Sequence, residues 1–162
     1  MNSLMTGLAL ALVAATAATA AAAETPAPNA RFDNPAALGV ARMRYMVTDI
    51  QASVAFYRDE LGFKLVTQSG PYFAFLTRGD VQLLLSPIKG PGGASQPMPN
   101  GAQPGPGGWN RIVLYVPDLE REVGRLRKDG VRFRNDIVRG LGGDEILVDD
   151  PSGNPVELFQ PK

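Results

Sequence analysis

The 162-residue chain contains no cysteine and no histidine, and its 16 basic side chains are matched by 16 acidic ones. Without thiols there can be no disulfide, no thiolate nucleophile and no lipid-modified cysteine. Without imidazole, the commonest metal ligand and neutral-pH general base is gone. Zero formal net charge and the lack of a basic run remove the electrostatic footprint of a nucleic-acid binder, so the expected partners are small molecules or proteins and not a nucleic acid. No serine sits in a G-x-S-x-G elbow, which leaves nucleophilic catalysis without a signature.

Charge is also missing from Met1 to Ala23, where "LALALVAATAATAAAA" closes on small residues just before Glu24. That pattern predicts a Sec-type signal peptide over residues 1–23, hence a secreted or periplasmic protein. The start carries no Lys or Arg, which departs from the usual pattern. A weak membrane anchor is the competing reading, but alanine is too poorly apolar for a convincing span, and no stable membrane association is expected after cleavage. Residues 24–39, rich in Pro, Ala and Asn, read as a flexible tail. The remaining domain, 40–162, has to hold itself by core packing alone.

What is present is a repeat. "RMRYMVTDIQASVAFYRDELGFKLV" begins at Arg42 and "RIVLYVPDLEREVGRLRKDGVRFRN" at Arg111, an offset of 69 residues (42 to 111). Each copy reads as a strand, an Asp, an amphipathic helix, a Gly and a second strand. Ile50, Val54, Tyr57 and Leu61 form one buried helical stripe, and Leu119, Val123 and Leu126 form the other. Asp49 and Asp118 suit the N-caps, and Gly62 and Gly130 the C-terminal stops, so the two acids read as caps and not catalysts. "PYFAFLT" and "VQLLLSP" form a hairpin closed by Arg78–Gly79–Asp80, and the turn accounts for that adhesion-like tripeptide. Asp144, Glu145, Asp149 and Asp150 read as turn chemistry around "DPSGN". Each module is thus one strand, one helix and three strands, with module one at 40–88 and module two at 109–162. The Gly/Pro-rich segment 89–108 is either a linker or a lid.

The duplicated module, with "FYRDELGF" in the first half and "DPSGNPVELFQP" closing the second, resembles the vicinal oxygen chelate superfamily of glyoxalases, extradiol dioxygenases, fosfomycin-resistance enzymes and bleomycin-binding proteins. The resemblance implies an α+β fold of two tandem βαβββ modules forming a concave mixed sheet. In metal-dependent members, each module's first strand supplies a ligand seven residues before the capping Asp, and each last strand supplies a Glu. Those positions fall on Arg42 and Arg111, and on Glu157. Aligning "VQLLLSP" with "PVELFQP" at their final prolines places Leu83 opposite Glu157. A set of two guanidiniums, a leucine and one carboxylate should hold no metal, because guanidinium has no lone pair to give. No metal or other cofactor is therefore expected.

Strand alternation puts Arg42, Arg44 and Met46 on one face, Arg111, Val113 and Tyr115 on another, and Glu157 with Phe159. The resemblance implies that these converge on an apolar cup with Leu83, Leu85 and Phe159. The expected ligand-binding residues are therefore Arg42, Arg44, Leu83, Arg111, Tyr115, Glu157 and Phe159. Two readings of the cup stay open together. Arg111 and Glu157 form an internal ion pair where a metal used to sit, or a surplus arginine receives a polar or anionic small ligand. The leading functional expectation is a metal-free small-molecule binder. The alternatives are a glyoxalase-type lyase or dioxygenase with a non-standard or absent metal site, and a non-catalytic component of a homodimer.

Overall fold

In the computed structural model, which describes residues 41–162, both expected helix starts are capped as their sequences imply. The expected signal peptide, 1–23, and the whole of the expected tail, 24–39, lie outside the described residues. Asp49 accepts a hydrogen bond from the Ala52 amide (3.1 Å) ahead of α1, Ile50–Ala55, and Asp118 accepts from the Arg121 amide (3.0 Å) ahead of α2, Leu119–Lys128. The stripes Ile50/Val54/Tyr57/Leu61 and Leu119/Val123/Leu126 are buried in one core. Gly62 and Gly130 take φ of +68° and +78°, the left-handed geometry that ends a helix with little cost only at glycine.

One local departure lies in α1, which widens into a π-helical turn over Phe56–Glu60. The Leu61 amide reaches back five residues to the Phe56 carbonyl (3.3 Å). Both Phe56 and Tyr57, neighbours in sequence, are buried there, and they stack edge-on with centroids 5.3 Å apart.

Module one forms a four-stranded sheet, β1-β4-β3-β2, from β1 (Met43–Val47), β2 (Lys64–Ser69), β3 (Phe73–Arg78) and β4 (Val81–Pro87). Module two repeats it as β5-β9-β8-β6, from β5 (Ile112–Tyr115), β6 (Arg132–Phe133), β8 (Gly143–Asp149) and β9 (Pro155–Pro161), with β7 (Val138–Arg139) also pairing β8. In each module the first and last strands are parallel and the others antiparallel. This is the expected α+β architecture of two βαβββ modules. The strand after α2 is broken between β6 and β7, and the Asn135 side chain accepts from the Leu147 amide (2.9 Å) across the break.

Residues 41–162 lie within one compact unit, and the modules interlock through buried polar contacts. The Tyr45 hydroxyl donates to the Pro155 carbonyl (2.9 Å) and accepts from the Ile112 amide (3.0 Å). Two backbone groups on β1 and just after it are met by the turn between β8 and β9. The Asn154 amide donates to the Met46 carbonyl (2.9 Å), and the Thr48 amide donates to the Ser152 hydroxyl (2.9 Å). These bonds satisfy an edge that would otherwise be left unpaired. Among the described residues, no helix is long and apolar enough to cross a membrane.

Candidate functional site

Strand register decides which side chains share a face, because a slip of one residue turns every side chain over. In module two Val113 lies opposite Glu157 and Tyr115 opposite Phe159. In module one Arg44 lies opposite Leu84 and Met46 opposite Ser86. With Arg44 and Val113 equivalent under the repeat, the residue standing where module two has Glu157 is Leu84 and not Leu83. The alignment at the closing prolines is off by one because β9 reaches its proline one residue later than β4. Leu83 and Leu85 are fully buried against the helices. Both therefore belong to the core and not to the site face where they were expected.

On the site face of module two, Arg111 and Glu157 meet as the ion-pair reading requires. Arg111 Nε donates to Glu157 Oε2 at 2.6 Å, and Nη1 donates to the Trp109 carbonyl at 3.3 Å. The Glu157 side chain is 8% exposed and that of Arg111 31%, so the carboxylate is held in a low-dielectric floor by a cation with one flank in water. Tyr115 and Phe159 stack edge-on with centroids 5.5 Å apart. Phe159 lies against Gly143, where a Cβ would fall 2.5 Å from its ring. Tyr115 is 66% exposed.

Sequence reasoning missed a second polar cluster beside this pair. Arg134 Nε donates to Asp149 (2.6 Å), while its two other nitrogens donate to the carbonyls of Gly108 (2.8 Å) and Gly153 (2.9 Å). Its guanidinium also lies 5.6 Å from the centroid of the Trp109 ring. One arginine thereby ties the end of the Gly/Pro-rich segment to the turn before β9. The available signal was the alternation in "VRFRND", which puts Arg132 and Arg134 on one face with Asp149 opposite Arg132.

Module one is built differently. Arg42 Nε donates to the Gln82 side-chain carbonyl (2.7 Å), and its guanidinium lies over Phe75 at 5.4 Å. Arg44 Nη1 donates to the Ser86 hydroxyl. Both arginines are exposed, and neither contacts a carboxylate among the described residues. The structure thus brings Arg111 to Glu157 and leaves Arg42 and Arg44 on the neighbouring module's face with neutral partners. A cleft of about 360 Å³ adjoins Arg42 and Gln82 on one side and Ile112 and Val113 on the other, with Asp80 also lining it.

Three acids whose pKa values are raised lie below this face, at the module junction. Burial pushes the Tyr45 hydroxyl up to about 12, and burial raises Tyr57 well above its ordinary value, with Asp150 adding to the shift. Asp150 is raised by burial, against the opposing hydrogen bonds from Asn154, Ser152 and Tyr57. All three have structural partners, and Asp150 alone accepts from Ser152, Asn154 and Tyr57. They read as the joint between modules and not as acid–base catalysts.

Comparison with known proteins agrees with this architecture. Three solved structures show it. A lactoylglutathione lyase from Agrobacterium tumefaciens is 23% identical, with a TM-score of 0.60 over 75% of this chain and 92% of that one. TnmS3, an antibiotic binding protein from Streptomyces sp. CB03234, is 24% identical, with a TM-score of 0.58 over 76% and 95%. A Glyoxalase/bleomycin resistance protein/dioxygenase superfamily member from Sphaerobacter thermophilus DSM 20745 is 23% identical, with a TM-score of 0.59 over 75% and 95%. At these identities the likeness establishes the fold. No curated protein matches the chain. The sequence profile of the Glyoxalase/Bleomycin resistance protein/Dioxygenase superfamily matches residues 39–158, and the chain belongs to that superfamily.

Proposed function

We propose that this protein is an exported, metal-free binder of a small polar or anionic molecule, which it receives on the arginine-bearing faces of its two sheets. The observation that carries the reading is the Arg111–Glu157 pair. Of the four positions that supply ligands in metal-dependent relatives, Glu157 alone offers a metal donor, and it already accepts from Arg111 at 2.6 Å. The register puts Leu84 at the fourth position, and a leucine offers no donor either. Among the described residues, no group of three or more Asp or Glu side chains is placed to hold a metal ion. A divalent cation would have to displace a guanidinium from a buried carboxylate and then sit beside that guanidinium, repelled by several kcal/mol at about 4 Å even at an effective dielectric near 20.

Elemental analysis of the purified protein tests the reading. Substoichiometric metal after purification from metal-replete medium is expected. A stoichiometric transition metal whose binding is lost in Glu157→Gln would overturn it. Turnover of a 2-oxoaldehyde thiol adduct or a catechol on supplying metal would do the same in favour of a lyase or dioxygenase.

The uncharged, alanine-rich residues 1–23 support export. Amino-terminal sequencing of the protein recovered from the periplasm or medium, with a start near Glu24, is the expected result. The exposed Leu65 (37%) and Val66 (54%) on edge strand β2 support association of two copies, which light scattering tests directly.

A further inference from the structure

We propose that the anionic group is received by module one, between Arg42 and Arg44, and that the ligand class is a phosphate monoester with a flat apolar body. This rests on the small-molecule reading above and narrows it to one face, one charge state and one head-group geometry.

Charge accounting singles out this face. In the register of the first sheet, Arg42, Arg44 and Met46 share a face with Gln82, Leu84 and Ser86 on β4 and with Phe75 and Thr77 on β3. Lys64, opposite Thr77 on the edge strand, adds a third cation. No carboxylate stands among these paired positions. Asp80, at the turn before β4, lines the cleft beside Arg42 without forming an ion pair with it. In module two the corresponding face balances itself. Arg111 is answered by Glu157, and Arg132 and Arg134 by Asp149, with Glu145 to spare opposite Phe159.

The two guanidiniums are also oriented rather than loose. Each donates one hydrogen bond to a neutral acceptor on β4, Gln82 or Ser86, and Arg42 rests on the Phe75 ring. A carboxylate partner would quench the charge, whereas an amide or hydroxyl partner fixes direction and leaves the charge and the remaining donors of each fork free. Two residues apart on a strand, the arginines stand roughly 6.6 Å apart along it. A planar carboxylate is saturated by a single fork. A tetrahedral dianion has three free oxygens and can accept from two forks at once. Phe75, Leu84 and Met46 offer the apolar surface for the rest of the molecule.

The probe is phenyl phosphate, titrated calorimetrically into the full mature protein at pH 7.5, with benzoate, benzyl alcohol and inorganic phosphate alongside. Binding of phenyl phosphate is expected, tighter than benzoate and weakening on acidification through about pH 6, where the second phosphate proton returns. Arg44→Gln should weaken it about tenfold, and the Arg42→Gln/Arg44→Gln pair by a hundredfold or so. Arg121→Gln, which removes an exposed charge from α2, should leave it unchanged. Far-ultraviolet circular dichroism and unfolding midpoints certify that the variants fold. Binding that survives the double substitution, or that prefers benzoate or benzyl alcohol, overturns the phosphate site while sparing the small-molecule reading. Failure of all four probes overturns the phosphate site alone, and failure of a broad library in thermal shift would overturn both.

Discussion

Modules one and two trace the same strand–helix–strand–strand–strand path, but they settle their arginines in opposite ways. Module two answers each cation on its site face with a carboxylate. Module one answers Arg42 with an amide and Arg44 with a hydroxyl. A single strand position explains much of the contrast, since Glu157 in one module becomes Leu84 in the other. A duplicated scaffold can therefore keep its core and reassign the electrostatics of its faces, because alternation along a strand separates residues that hold the fold from residues that meet solvent.

The largest test of that contrast is the removal of one arginine from each face. Arg111→Met strands a nearly buried carboxylate and should cost about 3 kcal/mol, at the low end for buried pairs because Arg111 remains 31% exposed. Arg42→Met removes an exposed cation whose partner is neutral and should stay within about 0.5 kcal/mol. Guanidinium unfolding measures both. Adding Glu157→Leu to Arg111→Met should recover most of the loss, since an apolar pair of similar shape replaces a salt bridge at little cost. Equal losses for Arg111→Met and Arg42→Met would erase the distinction between the faces.

A second difference lies beneath the sheets, where module one supplies Tyr45 and module two supplies Leu114 at the equivalent place. Tyr45→Phe leaves the Ile112 amide without an acceptor in the core and should cost about 2 kcal/mol. The hydroxyl's pKa is pushed up to about 12 from an ordinary 10.0 by burial. Because the folded value is raised, this stabilisation is complete below about pH 10 and is lost as pH rises towards 12. The stability of Tyr45→Phe should fall less steeply than that of the parent over that alkaline window.

These contrasts mark how far the sequence alone could carry. Periodicity located both helices, the capping aspartates and the module duplication, since Asp49, Asp118, Gly62 and Gly130 act through neighbours a few residues away. The resemblance to the superfamily, and not periodicity, brought Arg111 and Glu157 to one site, and left their ion pair as one of two readings. The register of β4 was not legible. The run Leu83-Leu84-Leu85 is apolar on both faces and carries no alternation, so the closing proline was a poor ruler and gave the wrong leucine. Arg134 was missed for a different reason. Its partners, the carbonyls of Gly108 and Gly153, belong to loops whose approach depends on the whole sheet. The π-helical turn at Phe56–Glu60 likewise follows from packing two adjacent aromatics, which an α-helical stripe does not encode.

Across the junction, Arg125 of α2 donates to Glu60 of module one (2.8 Å) and also to Glu122 of its own helix and Asp129 just beyond its end. Its side chain is 40% exposed, so water screens the network. Arg125→Ala should cost only about 1 kcal/mol in low salt. Near 1 M salt, where the screening length shrinks to about 3 Å, the difference from the parent should largely vanish. A salt-independent loss would mean that the aliphatic stem, and not the charge, joins the modules.

The smallest expected effect is a slope. Asp150 heads the turn between β8 and β9 inside the core, whereas Asp80 ends the corresponding turn of module one, between β3 and β4, in solvent. Burial raises the Asp150 pKa above 3.8 in the folded protein. Stability linked to its protonation is therefore fully present below the unfolded value and lost as pH climbs through the folded one. Asp150→Asn carries no titrating proton. Its stability relative to the parent should therefore improve as pH rises from about 4 through the weakly acidic range, while its absolute stability suffers from a lost acceptor for Asn154 or Ser152. Asp80→Asn provides the solvent-exposed reference. If the Asp150→Asn difference runs downhill with rising pH instead, the donors from Ser152, Asn154 and Tyr57 outweigh burial, and the buried turn holds its aspartate as a preferred anion.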